Sequence, residues 1–251
     1  TGREIIEFIT LNGPYGGLIS CITIALGFAT VLSLSFAFAK TVNASNYRTF
    51  LISLLGRAWI LYEILFILLL ILVIAIVSAA ATDTARSALG FPEIYSFVAI
   101  FSLIVGCNYL GKTVIQNLLL LWTFLLMISL LIFTIACLRE LDASSFTPGV
   151  RDIDTIASIN SGLKFAIYNS ALVPVLIYCT TQIESRRAAF KAGIFGGIMG
   201  IIPAVLLHLA FVTRYPEITE QGVPTFWLLN SLDFDRFESL YLTILFGTII
   251  L

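Results

Sequence analysis

From Ile64 to Ala81 the chain runs through isoleucine, leucine, valine, phenylalanine and alanine with one serine and no charge. A run of roughly 18 such residues is long enough to cross most of a hydrocarbon core of about 30 Å. Inside lipid no water satisfies the backbone, so an isolated run of this kind must be a helix. The rest of the composition carries this conclusion to the whole chain: 59% of residues are hydrophobic and 12% charged, against about 25% charged in soluble domains. The mean hydropathy is +1.02. An integral membrane protein is therefore expected, multi-pass, in a cell membrane of the bacterial inner-membrane type. The formal net charge of -1 and the lack of any basic stripe outside short loops argue against a nucleic-acid partner.

Apolar runs separated by charged or turn-rich breaks predict a short opening helix over residues 2–11 and seven further segments. These are 14–39, 58–81, 91–109, 114–138, 163–181, 189–213 and 237–251. Between the first two, Tyr47, Phe50, Leu51, Leu54 and Leu55 recur at helical spacing, with Asn43 or Ser45 placed to cap. That pattern predicts a short surface helix. The connection 141–161 reads as polar, with Ile153 and Ile156 hinting at another surface helix. In 215–236, Pro224 sits at a helix start before Phe226-Trp227-Leu228-Leu229. If every segment crosses, Lys40, Arg48, Arg57, Lys112, Arg186, Arg187 and Lys191 share one side, and their density in short loops makes it the cytoplasmic side.

Two interruptions point to function. In 164–176 the residues Tyr168-Asn169-Ser170-Ala171 are followed by Pro174, which lacks an amide proton. Such a break survives in a membrane only beside protein, water or a ligand. The opening helix, too short to span, begins on Thr1-Gly2 and reads as the outer half of a second broken helix. Paired breaks in two inverted halves mark the central site of many secondary transporters, because half-helix ends present unpaired amides and carbonyls to a solute. Thr1, Gly2, Glu4, Tyr168, Asn169, Ser170 and Ala171 are accordingly the expected substrate-binding residues. The alternative is a kink whose freed carbonyl is satisfied by a neighbouring helix, with Asn169 joining helices.

The stretch Thr1-Gly2-Arg3-Glu4-Ile5-Ile6-Glu7-Phe8, together with Gly111-Lys112-Thr113-Val114 and Tyr168-Asn169-Ser170-Ala171, resembles motifs of YkvI-type bacterial membrane proteins. The resemblance implies the amino acid–polyamine–cation superfamily and the leucine-transporter-like inverted-repeat helical bundle. It makes the chain an all-α integral membrane protein, a single transmembrane domain over 1–251. Residues 1–138 would form the first repeat, with its first helix incomplete, and 162–251 part of the second. The chain would then be truncated at both ends. The substrate class it implies is an amino acid or related metabolite, and it implies a sodium site whose ligands this chain barely reaches, Thr248 being the nearest hydroxyl.

Other polar residues in apolar surroundings are Glu4, Glu63 and His208, each a candidate for proton or ion coupling. Glu7 faces the same way as Glu4, three residues on, and is expected in the vestibule. Cys21, Cys107, Cys137 and Cys179 show no CxxC spacing and read as small hydrophobes. With one histidine, no metal site is expected. The string Gly106-Cys107-Asn108-Tyr109-Leu110-Gly111-Lys112-Thr113 fits GxxxxGK[ST], but it joins two apolar segments instead of a strand and a helix, so ATP-driven transport is not expected. Neither HExxH nor GxSxG occurs, so intramembrane catalysis is not expected either. Gly193, Gly196, Gly197 and Gly200 predict close helix packing, with Pro203 as a bend. The leading expectation is a secondary active transporter, sodium- or proton-coupled, with a small-molecule substrate and no organic cofactor. A non-transporting receptor or sensor using the same site is the alternative.

Overall fold

Long apolar stretches rich in Leu, Ile and Ala make continuous helices, and the described residues are all-helical with no strand. The computed structural model describes residues 2–89, 112–139 and 154–231, with isolated positions 94, 95, 98, 102 and 106. The expected spans 91–109, apart from those isolated positions, and 237–251 lie outside the described residues, as do Thr1, Cys107 and Thr248.

The helices are α1 (Arg3–Phe8), α2 (Gly13–Thr41), α3 (Tyr47–Leu55), α4 (Trp59–Leu89), α5 (Lys112–Arg139), α6 (Thr155–Ser170), α7 (Val173–Leu176), α8 (Arg186–Val212) and α9 (Pro224–Asn230). Tight 3-10 turns at Thr10–Asn12, Gly56–Ala58, Ile177–Gln182 and Glu217–Glu220 join or extend them. Four described helical runs are long and apolar enough to cross a membrane, Arg3–Thr41, Tyr47–Ile76, Asn117–Arg139 and Arg186–Val212. A fifth is added if the bent pair α6 and α7 with its 3-10 extension counts as one span. The outer face agrees with that reading: Ile64, Leu68, Ile71 and Ile74 of α4 are all more than half exposed. So large an apolar surface is stable against lipid and not against water.

At the centre lies α2, with α6 on one side and α8 on the other. Gly16 faces Ser158, Gly162 faces Ser20 and Thr23, and Gly27 faces Ala166, so residue numbers rise together and α2 and α6 run parallel. Along α8 they fall as α2 rises, and this pair is antiparallel. A Cβ on Gly193 would lie 2.4 Å from Ser33 Cα, and one on Gly197 would lie 2.3 Å from Ala29 N. Backbone here touches backbone. Without water to expel, helices in lipid are held by such close van der Waals contact. The expected packing role of the glycines is seen at these two, whereas Gly196 and Gly200 have ordinary clearance.

Several boundaries differ from the sequence expectation, each for a local reason. The cap of α3 is Asn46, whose Oδ1 accepts from Thr49 N at 2.8 Å, and not Asn43 or Ser45. Asn43 instead takes a positive φ of 51° in the turn before it. Helix α4 continues to Leu89, past the expected Ala81, because Thr82-Asp83-Thr84 is polar but contains no helix breaker. The predicted surface helix in 141–161 is, over its described residues, the start of α6. Asp154 Oδ1 accepts from Ala157 N at 2.9 Å and starts the helix there. Polarity marked these residues as a loop, but Ser158 and Gly162 turn inward against α2 and are buried.

Candidate functional site

Helix α6 ends at Ser170 and the chain bends by 55° before Val173–Gln182. The bend is made by Ala171 and Leu172, which form a turn through Ala171 N to Tyr168 O (3.4 Å) and Leu172 N to Asn169 O (3.1 Å). Pro174 then sits in the first turn of α7, where its missing N–H leaves no bond unmade. The expected position of the break holds, but the proline starts the second segment and does not interrupt a continuous one.

The polar groups at the break have found partners close at hand. Tyr62 of α4 donates its hydroxyl to the Ala171 carbonyl. Asn169 Nδ2 donates to Phe165 O at 3.0 Å, and Ser170 Oγ donates to Ala166 O at 2.6 Å, both within α6. Tyr168 is 46% exposed and Asn169 half-buried. The Tyr168 hydroxyl and the Asn169 side-chain oxygen Oδ1 have no hydrogen-bond partner among the described residues. The break therefore offers one hydroxyl and one amide oxygen on its outer side, while its backbone is tied to α4.

The other interruption takes a different form. Gly2 caps α1 with φ 78°, and a Cβ on it would lie 2.6 Å from Thr225 Oγ1 and 2.7 Å from Phe211 Cζ. Arg3 Nη1 donates to the carbonyls of Thr219 and Gln221, both at 3.1 Å. The start of α1 is thus fastened to α8, to α9 and to the turn between them. Its other end reaches the broken helix, with the Phe8 and Phe165 rings edge to face at 5.5 Å. Gly2 and Glu4 make no hydrogen bond with 168–171; what the structure brings to α6 is the Phe8 end. Glu4 and Glu7 are exposed.

Beside that contact lies a set of polar contacts that includes His208, a coupling candidate from the sequence, and Thr10, Asn12, Ser20 and Ser158, which the sequence did not single out. Asn12 Nδ2 donates to Phe8 O (3.1 Å) and Ser20 Oγ (3.0 Å). The Ser20 hydroxyl proton has two carbonyls in reach, Ser158 O at 2.9 Å and Gly16 O at 3.2 Å. The fully buried His208 has Nε2 3.1 Å from Pro14 O and Nδ1 3.1 Å from Thr10 Oγ1. A carbonyl can only accept, so Nε2 carries the proton and Nδ1 accepts from the threonine. The imidazole fills the space where a Gly17 side chain would stand, 2.2 Å from its Cβ position. Both ring nitrogens are engaged, and His208 clamps the α1–α2 turn to α8. The sequence carried two signals of it, the lone His208 and the Asn12-Gly13-Pro14 turn. Which helices the turn would meet was set by tertiary packing.

Glu63 stands apart, on α4. Tyr47 Oη donates to its Oε1 at 2.9 Å, and its Oε2 is shielded with no hydrogen-bond partner. Arg48 lies over the Trp59 ring at 4.7 Å, so α3 is fastened to the start of α4 twice. Cys21 and Cys137 are buried and Cys179 is exposed. Among the described residues no cluster of His, Cys, Asp and Glu could hold a metal ion. No protein-family model, curated protein or solved structure matches this chain.

Proposed function

We propose that the chain is a secondary active transporter of a small polar solute, an amino acid or related metabolite, working by alternating access around interrupted helices. The observation that carries this reading is the 55° break after Ser170, with the Tyr168 hydroxyl and Asn169 amide oxygen unengaged beside it. A membrane helix that stops and restarts presents backbone and side-chain polar groups at depth, which is what a solute needs in place of its hydration shell. The short helix α1, packed through Phe8 on the same broken helix, supplies the second interruption. The resemblance to YkvI-type proteins, the leucine-transporter-like fold and the repeats 1–138 and 162–251 belong to this proposal. So does a cell-membrane location with the Arg186 end of α8 cytoplasmic.

For a proton-coupled cycle Glu63 is the best-supported carboxylate, since one oxygen is held by Tyr47 and the other is shielded. For a sodium-coupled cycle the carbonyls around Ala171 are the natural ligands. A receptor for the same class of solute is the second reading. What favours it is the tie from Tyr62 to Ala171, which pins the break to α4.

Counterflow in proteoliposomes, with a panel of amino acids and imposed sodium or proton gradients, tests the proposal. Transport predicts saturable uptake that Asn169→Ala weakens about tenfold at unchanged membrane yield, the loss of one solute hydrogen bond in a dry site. A ligand that binds but is never moved would leave the receptor reading standing and sink the transporter.

A further inference from the structure

Away from the break, the outer faces of α2 and α8 leave a long apolar groove. Its inner stretch, about 520 Å³, is lined by Leu26, Ala29 and Ile194 among others, and its outer stretch, about 780 Å³, by Phe38, Phe50 and Leu54. Leu34 and Phe190 line both stretches, so the two adjoin along the bundle. Two of the hydroxyls along it are engaged by their own helix: Ser33 donates to Thr30 O at 3.1 Å and Thr41 to Ala37 O at 3.0 Å. Charge appears only at the outer end, where Arg186, Arg187 and Lys191 line the wall. All three are exposed, and none makes an ion pair or hydrogen bond among the described residues.

Three cations without a partner among the described residues, at the mouth of a mostly apolar groove, match one kind of molecule, which is anionic at one end and apolar along the rest. We infer that this groove is a binding site for a single anionic phospholipid, its phosphate among Arg186, Arg187 and Lys191 and an acyl chain running past Leu34 and Phe190 between α2 and α8. A bulk annular lipid needs neither the cations nor the groove. Basic residues at a helix junction near the membrane surface are the usual means by which a headgroup is selected. The arginine forks suit a phosphate's oxygens, and the groove supplies the contact area that distinguishes a bound lipid from a free anion. The occupant sits against the glycine seam of α2 and α8, so binding should also stiffen that pair.

Native mass spectrometry of the full chain, delipidated and titrated with phosphatidylglycerol or phosphatidylcholine, tests this. The expected result is one phosphatidylglycerol retained in preference to phosphatidylcholine, with the triple variant R186Q/R187Q/K191Q weakening retention by about tenfold or more. A second variant, Leu34→Trp, places bulk at an exposed position where the two stretches join, and should lower phosphatidylglycerol retention with all three cations present. Equal retention of the two lipids would overturn the inference, as would wild-type retention by both variants. Displacement of the lipid by glycerol 3-phosphate at equal concentration would also overturn it, since the site would then be one for a free anion.

Discussion

The seam between α2 and α8 and the break after Ser170 solve opposite problems. At the seam, Gly193 and Gly197 remove side chains so that two backbones touch, Gly193 against Ser33 and Gly197 against Ala29, and close van der Waals contact holds them. At the break, side chains are added, because Ala171 and its neighbours expose carbonyls that lipid cannot satisfy and that Tyr62 must reach across to meet. Steric absence holds the first region and hydrogen-bond supply holds the second. The seam should therefore tolerate almost no substitution without losing the fold, while the break should tolerate changes that alter function first.

The largest effect is expected from Gly197→Leu, whose side chain would begin 2.3 Å from the Ala29 backbone. Overpacking that no rotamer relieves should cost about 3 kcal/mol or more. Monodisperse protein on size exclusion should be largely lost, and wild-type thermal stability would show the seam to be looser than described. Next comes His208→Ala, which leaves Thr10 and Pro14 without their ring partners and opens a cavity against Gly17. About 2–4 kcal/mol of destabilisation is expected from the two losses together, read from the thermal midpoint in detergent.

At the break, Tyr62→Phe removes one hydroxyl and leaves the Ala171 carbonyl to find water. A loss of about 1–2 kcal/mol is expected, with a larger change in solute binding than in stability. A stability loss as great as that of His208→Ala would mean that the break is held like a seam. The smallest effect belongs to Asn46→Ala outside both regions, where losing the cap of α3 should cost about 1 kcal/mol. Circular dichroism melting against wild type would measure it.

Much of the helical layout was legible in the chain. Apolar runs placed α2, α5 and α8 to within about three residues, because charge and proline mark where hydrocarbon ends. The start of α6 was misread as a connection because hydropathy sees polarity but not partners; Ser158 is polar and also buried. The break itself was visible as Tyr-Asn-Ser before a proline. That Asn169 and Ser170 turn their donors back into α6 was not, since a side chain's choice between its own helix and a ligand depends on local geometry.

By its sequence alone this chain was committed to helices long and apolar enough to cross a membrane, for eighteen uncharged residues in a row leave the backbone no other way to satisfy itself in lipid. The glycines of α8 likewise announced a close contact. Only the tertiary structure decided which helix they touch, that α1 is fastened through Gly2 to α8 and α9 and through Arg3 to the turn between them, and that His208 locks the α1–α2 turn. It also brought Arg186, Arg187 and Lys191 to the mouth of the groove beside α2 and α3. Hydropathy is a property of segments and can be read one residue at a time. Partner choice is a property of pairs far apart in the chain, and it exists only once the helices have packed.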